Sequence, residues 1–391
     1  MFRNTFVKVE PDILKKNVQA IRAYYPDYSY YFGVVKGNVY GHGTGAIPAL
    51  IEGGVNYLAV SFLEEALTIR RSLPEIPILC LEPVKSLYYP QVLENTITAT
   101  VESVAAAREL AQYKLTKPLK VHIKLDTGMS RLGLTTNEEL LECLELLRQN
   151  DRIIIEGLYT HLATSGVWDV YYDHQIAAFE RLVQGVDLSQ FPIVHIDRSI
   201  TLVHHKKPPF ANGVRLGICL YGFNNSLPEP TGLRAFKRKL TLKRLNISDS
   251  ILPNDLPLKT AFSLHTEVIS LRHIKAGSFV GYGAAYIAPE DMTVATLPIG
   301  YYDGVDKRMK TVCIHHKPYE IIGDICMDMT MVKVDDAVQL YDPVEIFGQD
   351  ISVRETARRL GTNAYRLLTG IHDRLPRIYS DDNENSDRGD K

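Results

Sequence analysis

Val34-Val35-Lys36-Gly37-Asn38-Val39-Tyr40-Gly41-His42-Gly43 is the stretch on which the reading of this chain turns. An apolar strand, Tyr30–Val35, ends at a lysine, and a tyrosine follows one helical turn later in a loop with three glycines. Such a strand aims the lysine amine out of a sheet edge, and the glycines let backbone N–H groups approach an anion closely. A lysine held in this way and partly desolvated suits Schiff-base chemistry. A lone lysine after a buried strand is more often a plain surface residue, so its surroundings have to decide.

Outward from this stretch the same unit repeats. Short apolar or β-branched runs occur at Tyr30–Val35, Tyr57–Ser61, Ile76–Leu81, Ile97–Val101, Leu119–Leu125, Ile153–Tyr159, Pro192–Ile196 and Val214–Leu220. Between them lie amphipathic stretches such as Asp12–Tyr25, Leu63–Ser72, Asn137–Asn150 and Tyr172–Gly185. Eight strands alternating with helices predict an α/β fold with an N-terminal (β/α)8 TIM-like barrel, with an open doubly wound sheet as the alternative. After Phe223 the texture changes to prolines, a basic run from Arg234 to Arg244, and then short alternating strands with almost no helix until near Ser352. The expected organisation is an N-terminal strand at 1–10 packing with the C-terminal domain and a barrel at 11–223. An extended interdomain insert at 224–257, a mainly β domain at 258–379 and a disordered tail at 380–391 follow. The basic run reads as a solvated face or an edge strand.

The bulk numbers narrow the class. A net charge of −2 over 391 residues argues against a general nucleic-acid binder. No uncharged apolar run is long enough to span a membrane, and the N-terminus has no apolar core of a signal peptide. Five scattered cysteines without CxxC spacing suit a reducing cytoplasm and suggest neither a disulfide framework nor a zinc site. The expectation is a cytoplasmic chain with no metal and with neither nucleic acid nor membrane as partner.

In a barrel, active sites lie at the C-terminal ends of the strands. Lys36 follows the first strand, and the segment Asp126-Thr-Gly-Met-Ser-Arg131 follows the strand containing Lys124. His161 and Ser199 follow two later strands, while Arg215 and Gly217 are expected within the last one. Singly, Ser199 reads equally well as a helix N-cap, His161 as a hydrogen-bonded barrel histidine, and Tyr282 as one packing tyrosine among 22. Five strand ends carrying lysine, arginine, histidine and serine are hard to attribute to packing alone.

The chain resembles the alanine racemase family. VKGNVYGHG, KLDTGMSRLG, GLYTHLAT, VRLGICLYG, VGYGAAY, IGYYDG and ICMD occur in family order, and the resemblance runs from about residue 3 to 377. It implies a pyridoxal 5'-phosphate enzyme that interconverts L-alanine and D-alanine, supplying D-alanine for peptidoglycan. Lys36 matches the lysine that carries the cofactor and acts as base on one face of the substrate. Tyr282 matches the base on the other face, donated by the second subunit, so a homodimer with shared sites is implied. Arg131 and Met327 match substrate-contacting residues. Tyr40, Ser199, Gly217 and Ile218 match the phosphate cradle, with Tyr301 among the cofactor-binding residues. Arg215 matches the partner of the pyridine nitrogen with His161 behind it, and Lys124 matches a lysine often carbamylated in this family.

Physical chemistry agrees with this division of labour. Racemisation takes a Cα proton from one face and returns it on the other, which two bases on opposite faces accomplish without moving the substrate. A tyrosine is a costly base at neutral pH, by about 4 kcal/mol, and needs positive neighbours, expected here from Arg131, His161 and Arg215. An arginine cannot give up its proton, so a pyridine nitrogen facing Arg215 stays unprotonated and transamination is discouraged.

Four positions depart from the family pattern. Arg198 stands where asparagine is usual, Gly166 where an acidic residue is common, Asp324 where many members have an arginine, and Asp373 where some have a phosphate-touching tyrosine. Asp373 is expected to turn away or to pair with Arg374 or Arg198. The sign reversal at Asp324 leaves open a serine, broad-range or basic amino-acid racemase. A related decarboxylase and a catalytically silent PLP-binding protein remain weaker alternatives.

Overall fold

The computed structural model describes residues 3–163, 169–223 and 256–380, with positions 233, 236, 237, 239, 240 and 244 of the intervening stretch. The insert expected at 224–257 therefore lies largely outside the described residues, as do Gly166 and the tail after Ser380. Contacts divide the chain into two interleaved units. One holds residues 15–36 and 50–258; the other holds 1–14, 37–49 and 259–391.

A strand β1 (Phe6–Val9) precedes the eight strands of a closed barrel: β2 (Tyr30–Val34), β3 (Tyr57–Val60), β4 (Ile78–Cys80), β5 (Ile97–Val101), β6 (Leu119–Lys124), β7 (Ile153–Tyr159), β8 (Ile193–Arg198) and β9 (Gly213–Leu216). Neighbouring barrel strands pair in parallel, and β9 closes onto β2 with Phe32 opposite Arg215. The barrel was expected, and the open sheet is excluded. The helices fall close to their expected bounds because their signals are local. Thr136 Oγ1 accepts from Glu139 N while the Glu139 carboxylate accepts from Thr136 N, a reciprocal cap that starts the helix Asn137–Arg148. Leu140, Cys143, Leu144 and Leu147 then bury one stripe of it.

The last barrel strand is shorter than its sequence suggests. It ends at Leu216, and Ile218–Tyr221 forms a 3-10 turn, so Gly217 sits just beyond the strand rather than within it. The apolar run continues because that turn is itself buried, and burial rather than strand geometry selects its residues.

The other unit is mainly β. It comprises β10 (Phe262–Glu267), β11 (Ser270–Ile274), β12 (Phe279–Val280), β13 (Tyr286–Ile287), β14 (Met292–Leu297), β15 (Thr311–Ile314), β16 (Lys317–Glu320), β17 (Thr330–Val334), β18 (Pro343–Phe347) and β19 (Arg377–Tyr379). The strand β1 lies inside its six-stranded sheet, antiparallel to β10 and parallel to β19. A three-stranded sheet, β11-β14-β17, and the hairpin β12-β13 complete it. Among the described residues no helix is long and apolar enough to cross a membrane.

Candidate active site

The barrel interior holds a file of ionisable side chains. Arg215 on β9 is buried and donates through Nη1 to His195 Nδ1 (2.7 Å) and to the His195 carbonyl (2.8 Å). His195 Nε2 meets His122 Nδ1 at 2.8 Å, and His122 Nε2 meets Glu156 Oε2 at 3.2 Å. Tyr57 donates to that same carboxylate oxygen at 2.8 Å, and Lys120 donates to the other. The proton positions follow from the two ends. Arginine only donates and an ionised carboxylate only accepts. His195 Nδ1 must therefore accept and its Nε2 donate, and His122 repeats the pattern toward Glu156. Both rings are satisfied only when neutral. Burial, together with the Arg215 charge, holds both histidines below their ordinary range, while Glu156 is brought down to about 2 by its His122, Lys120 and Tyr57 hydrogen bonds against the upward push of burial.

The sequence builds this file by local devices. The β6–β7 register shifts between Val121 and His122, so Val121 faces Ile155 and His122 faces Gly157, leaving Glu156 as the extra residue of a bulge. A Cβ on Gly157 would lie 2.5 Å from His122 Nδ1, so that glycine makes room for the ring. His195 is stacked between Phe32 (4.6 Å) and Tyr159 (4.7 Å).

Arg215 leaves one donor over. Its Nη2 donates to the carbonyls of Thr160 (2.6 Å) and Ile196 (3.0 Å) and approaches His161 Nδ1 at 3.4 Å. Both terminal nitrogens are thus committed, and among the described residues Nε makes no hydrogen bond. His161 does not supply the positive charge expected of it. Burial, then the charges of Arg215, Arg198 and Arg131, hold it well below its ordinary range, so it is neutral.

Beside it, the buried Lys124 donates to the Leu125 carbonyl at 2.7 Å and is brought down to about 7 by burial, with the Arg215 and Arg131 charges adding. Arg131 lies on an exposed loop that closes on itself. Asp126 accepts from the backbone of Gly128, Ser130 and Arg131, and Leu134 N donates to the Lys124 carbonyl. Gly133 permits that closure, since a Cβ there would lie 2.6 Å from Asp126 N. Ser199 opens the short helix Ser199–His204 and its Oγ accepts from Gly217 N at 2.7 Å. Ile218 starts the 3-10 turn, so an N–H without an intrahelical partner stands next to that pair. Lys36 is half-buried, two residues past the end of β2.

The remaining expected residues belong to the second unit. Gly37, Asn38, Val39 and Tyr40 all adopt left-handed backbone angles, with φ of 62, 51, 56 and 52°. For L-residues this costs roughly 1–2 kcal/mol each, and a β-branched valine is an outlier there. Tyr40 is buried with its ring 5.8 Å from Tyr365. Tyr282 follows β12 and is 74% exposed; Met327 is 52% exposed and Tyr301 39%. Backbone bonds Tyr301 N to Cys326 O and Tyr302 N to Met327 O join the IGYYDG and ICMD segments. Buried Asp303 anchors them, accepting from Arg3 (2.9 Å), Arg374 (2.7 Å) and Gly300 N (2.9 Å). Asp324 is exposed and lies beside Gly281, whose Cβ would stand 3.5 Å from Asp324 N. Of the two outcomes expected for Asp373, the pairing is corrected: it meets neither Arg374 nor Arg198 but, largely exposed, accepts from Asn38 at 2.7 Å, with Arg377 at 3.6 Å. Arg374 is taken by Asp303 and Asp328, and Arg198 donates to the Leu162 carbonyl.

Residues 9–225 match the alanine racemase N-terminal domain and residues 261–379 its C-terminal domain. The chain belongs to the alanine racemase family. It is 33% identical to the alanine racemase of Anoxybacillus flavithermus across 97% of this chain and 95% of that one. The crystal structure of alanine racemase from E. faecalis superposes with a TM-score of 0.86 at 28% identity, covering 97% of this chain and 99% of that one. A histidine racemase from Leuconostoc mesenteroides subsp. sake superposes at 0.83 and 27% identity, covering 97% and 98%. Within this alanine racemase framework, sequence reasoning missed His122, Glu156 and His195 altogether. The available signal was an ionisable residue inside each of three apolar runs, Val121-His-Ile, Ile155-Glu-Gly and Val194-His-Ile.

Proposed function

We propose that this chain interconverts L-alanine and D-alanine with pyridoxal 5'-phosphate, working as a homodimer in the cytoplasm. The observation that carries the reading is Arg215. A buried, permanently charged donor with Nε uncommitted fits a ring nitrogen that accepts without being protonated. The Ser199 hydroxyl proton and the N–H of Ile218 form a donor pair that fits a phosphate, with Gly217 N–H orienting the Ser199 oxygen and Tyr40 and Tyr301 assigned to the same cofactor. When bound, the cofactor supplies the electron withdrawal that makes the substrate Cα proton removable.

The protein then has to hold and move one proton. Lys36 carries the cofactor and takes or returns the proton at Cα on one face; Tyr282 of the partner subunit does so on the other. Arg131 and Met327 contact the substrate. Support for the dimer comes from what a single chain exposes. Phe279, Tyr282, Ile287, Tyr302 and Met327 are all exposed in the second unit, apolar surface that a partner subunit would cover. Lys124, brought down to about 7, is about half neutral near pH 7; its free amine would attack carbon dioxide and lose one proton to solvent, and the resulting carbamate would neutralise charge beside Arg131. Labelled bicarbonate is expected to give a carbamate carbon resonance that Lys124→Ala removes. Its absence from the wild type would end that assignment.

Asp324 supports a second reading, a substrate with a polar or cationic side chain, because its exposed carboxylate stands at the turn that carries Tyr282. The PLP-loaded protein should be assayed with L-alanine, L-serine and L-lysine at equal concentration. The expected outcome is highest kcat/KM for alanine. Preference for lysine would make Asp324 the specificity residue, and no turnover of any would leave a silent PLP-binding protein.

A further inference from the structure

We infer that Asp373 is a positioning residue for Lys36 and Tyr40, acting through Asn38. The inference rests on the proposed roles of those two residues. Lys36 is followed at once by four left-handed residues, of which three are not glycine. A conformation this unfavourable persists only where the surroundings over-determine it. Local bonds supply part of the restraint, with Gly41 N donating to Gly37 O, His42 N to Val39 O and Gly43 N to Asn38 O.

The rest comes from the C-terminal segment. Asp373 Oδ1 accepts from Asn38 Nδ2 at 2.7 Å, Arg377 Nε donates to the Gly41 carbonyl at 3.0 Å, and Tyr379 donates to the His42 carbonyl at 3.0 Å. The Arg377 side chain is nearly buried, and Asp373 lies 3.6 Å from it. One carboxylate thus faces both the turn and the arginine that braces its end. Asn38 is the side chain of the turn best suited to the left-handed region, and Asp373 fixes its rotamer.

The bland alternative is a surface carboxylate in an i,i+4 ion pair, which contributes little. That alternative concerns Arg377 and gives no reason for the bond to Asn38. Asp373 itself is 76% exposed, so its replacement leaves no cavity, and the Asp373→Ala variant is expected to fold with an unchanged Tm.

Two readouts on the full chain test the proposal. The first is amide hydrogen exchange at Gly41, His42 and Gly43 in the cofactor-free protein. Asp373→Ala and Asn38→Ala are each expected to raise it about tenfold, the double variant no further, and Asp373→Asn to stay near wild type because its amide oxygen still accepts from Asn38. The second is titration with pyridoxal 5'-phosphate, read by absorbance of the lysine-bound form, where the same variants are expected to weaken binding about five- to tenfold. Unchanged exchange in Asp373→Ala overturns the positioning role. Faster exchange with unchanged PLP affinity overturns it too, since the turn's order would then not serve the cofactor. If the wild type binds no PLP, the proposed function fails, while the exchange measurement still decides whether Asp373 holds the turn.

Discussion

Tyr282→Phe is expected to abolish interconversion of the alanine enantiomers while leaving exchange of the Cα proton with solvent for one enantiomer only. Two bases on opposite faces predict that asymmetry, because Lys36 still serves its own face when the phenol is gone. The loss in kcat is expected at about 100- to 10,000-fold, the usual contribution of a positioned acid or base. Lys36→Ala is expected to lose both reactions together with covalent retention of the cofactor. Deuterium incorporation followed by NMR, enantiomer by enantiomer, makes the measurement. Loss of exchange from both enantiomers in Tyr282→Phe, or full racemase activity in either variant, would sink the two-base assignment.

The neutrality of His161 bears on the role proposed for Tyr282. The positive neighbours expected from the sequence were three, and burial removes one of them. What remains is Arg131 and Arg215, and Arg215 has its terminal nitrogens fixed on carbonyls and on His195. Arg215 is therefore held in one orientation before any proton moves, as a prepared electrostatic environment requires.

Those parts of the fold whose causes are local were legible. Lys36 at a strand end, the capped helix at Asn137 and the eight apolar runs can each be read within about a dozen residues. The parts that depend on tertiary partners could not. Ile218-Cys219-Leu220-Tyr221 looks like strand because every residue in it is buried, although it forms a 3-10 turn closed by the left-handed Gly222. Val39 and Tyr40 give no sign of left-handed geometry, since the segment that holds it lies more than 300 residues away. Glu156 was invisible for a related reason. Its side chain enters the barrel because a bulge re-aims it, and a bulge changes the register without leaving a periodic signature.

That same residue yields the largest expected effect on stability. Glu156→Gln is expected to lower unfolding free energy by about 1–3 kcal/mol at neutral pH, the upper figure being what a carboxylate held at about 2 rather than 4.5 is worth and the lower allowing for solvent screening on the Lys120 side. The pH dependence separates it from the histidines. His122 and His195 are held neutral, so the unfolded chain binds more protons below about pH 6.5, and stability falls as pH drops past that point. Glu156 acts in a lower window, its contribution being complete above its unfolded value of 4.5 and lost as pH falls toward 2. In the wild type both losses should appear in succession on acidification. In Glu156→Gln the onset near pH 6.5 should persist while the further decline below 4.5 shrinks. Urea unfolding across that range measures both, and a variant with the wild-type slope below pH 4.5 would mean that Glu156 is not the acceptor at the end of the file. Such a result would also remove the reason for placing protons on His122 Nε2 and His195 Nε2. The orientation of Arg215 would then depend only on the carbonyls of Thr160, His195 and Ile196.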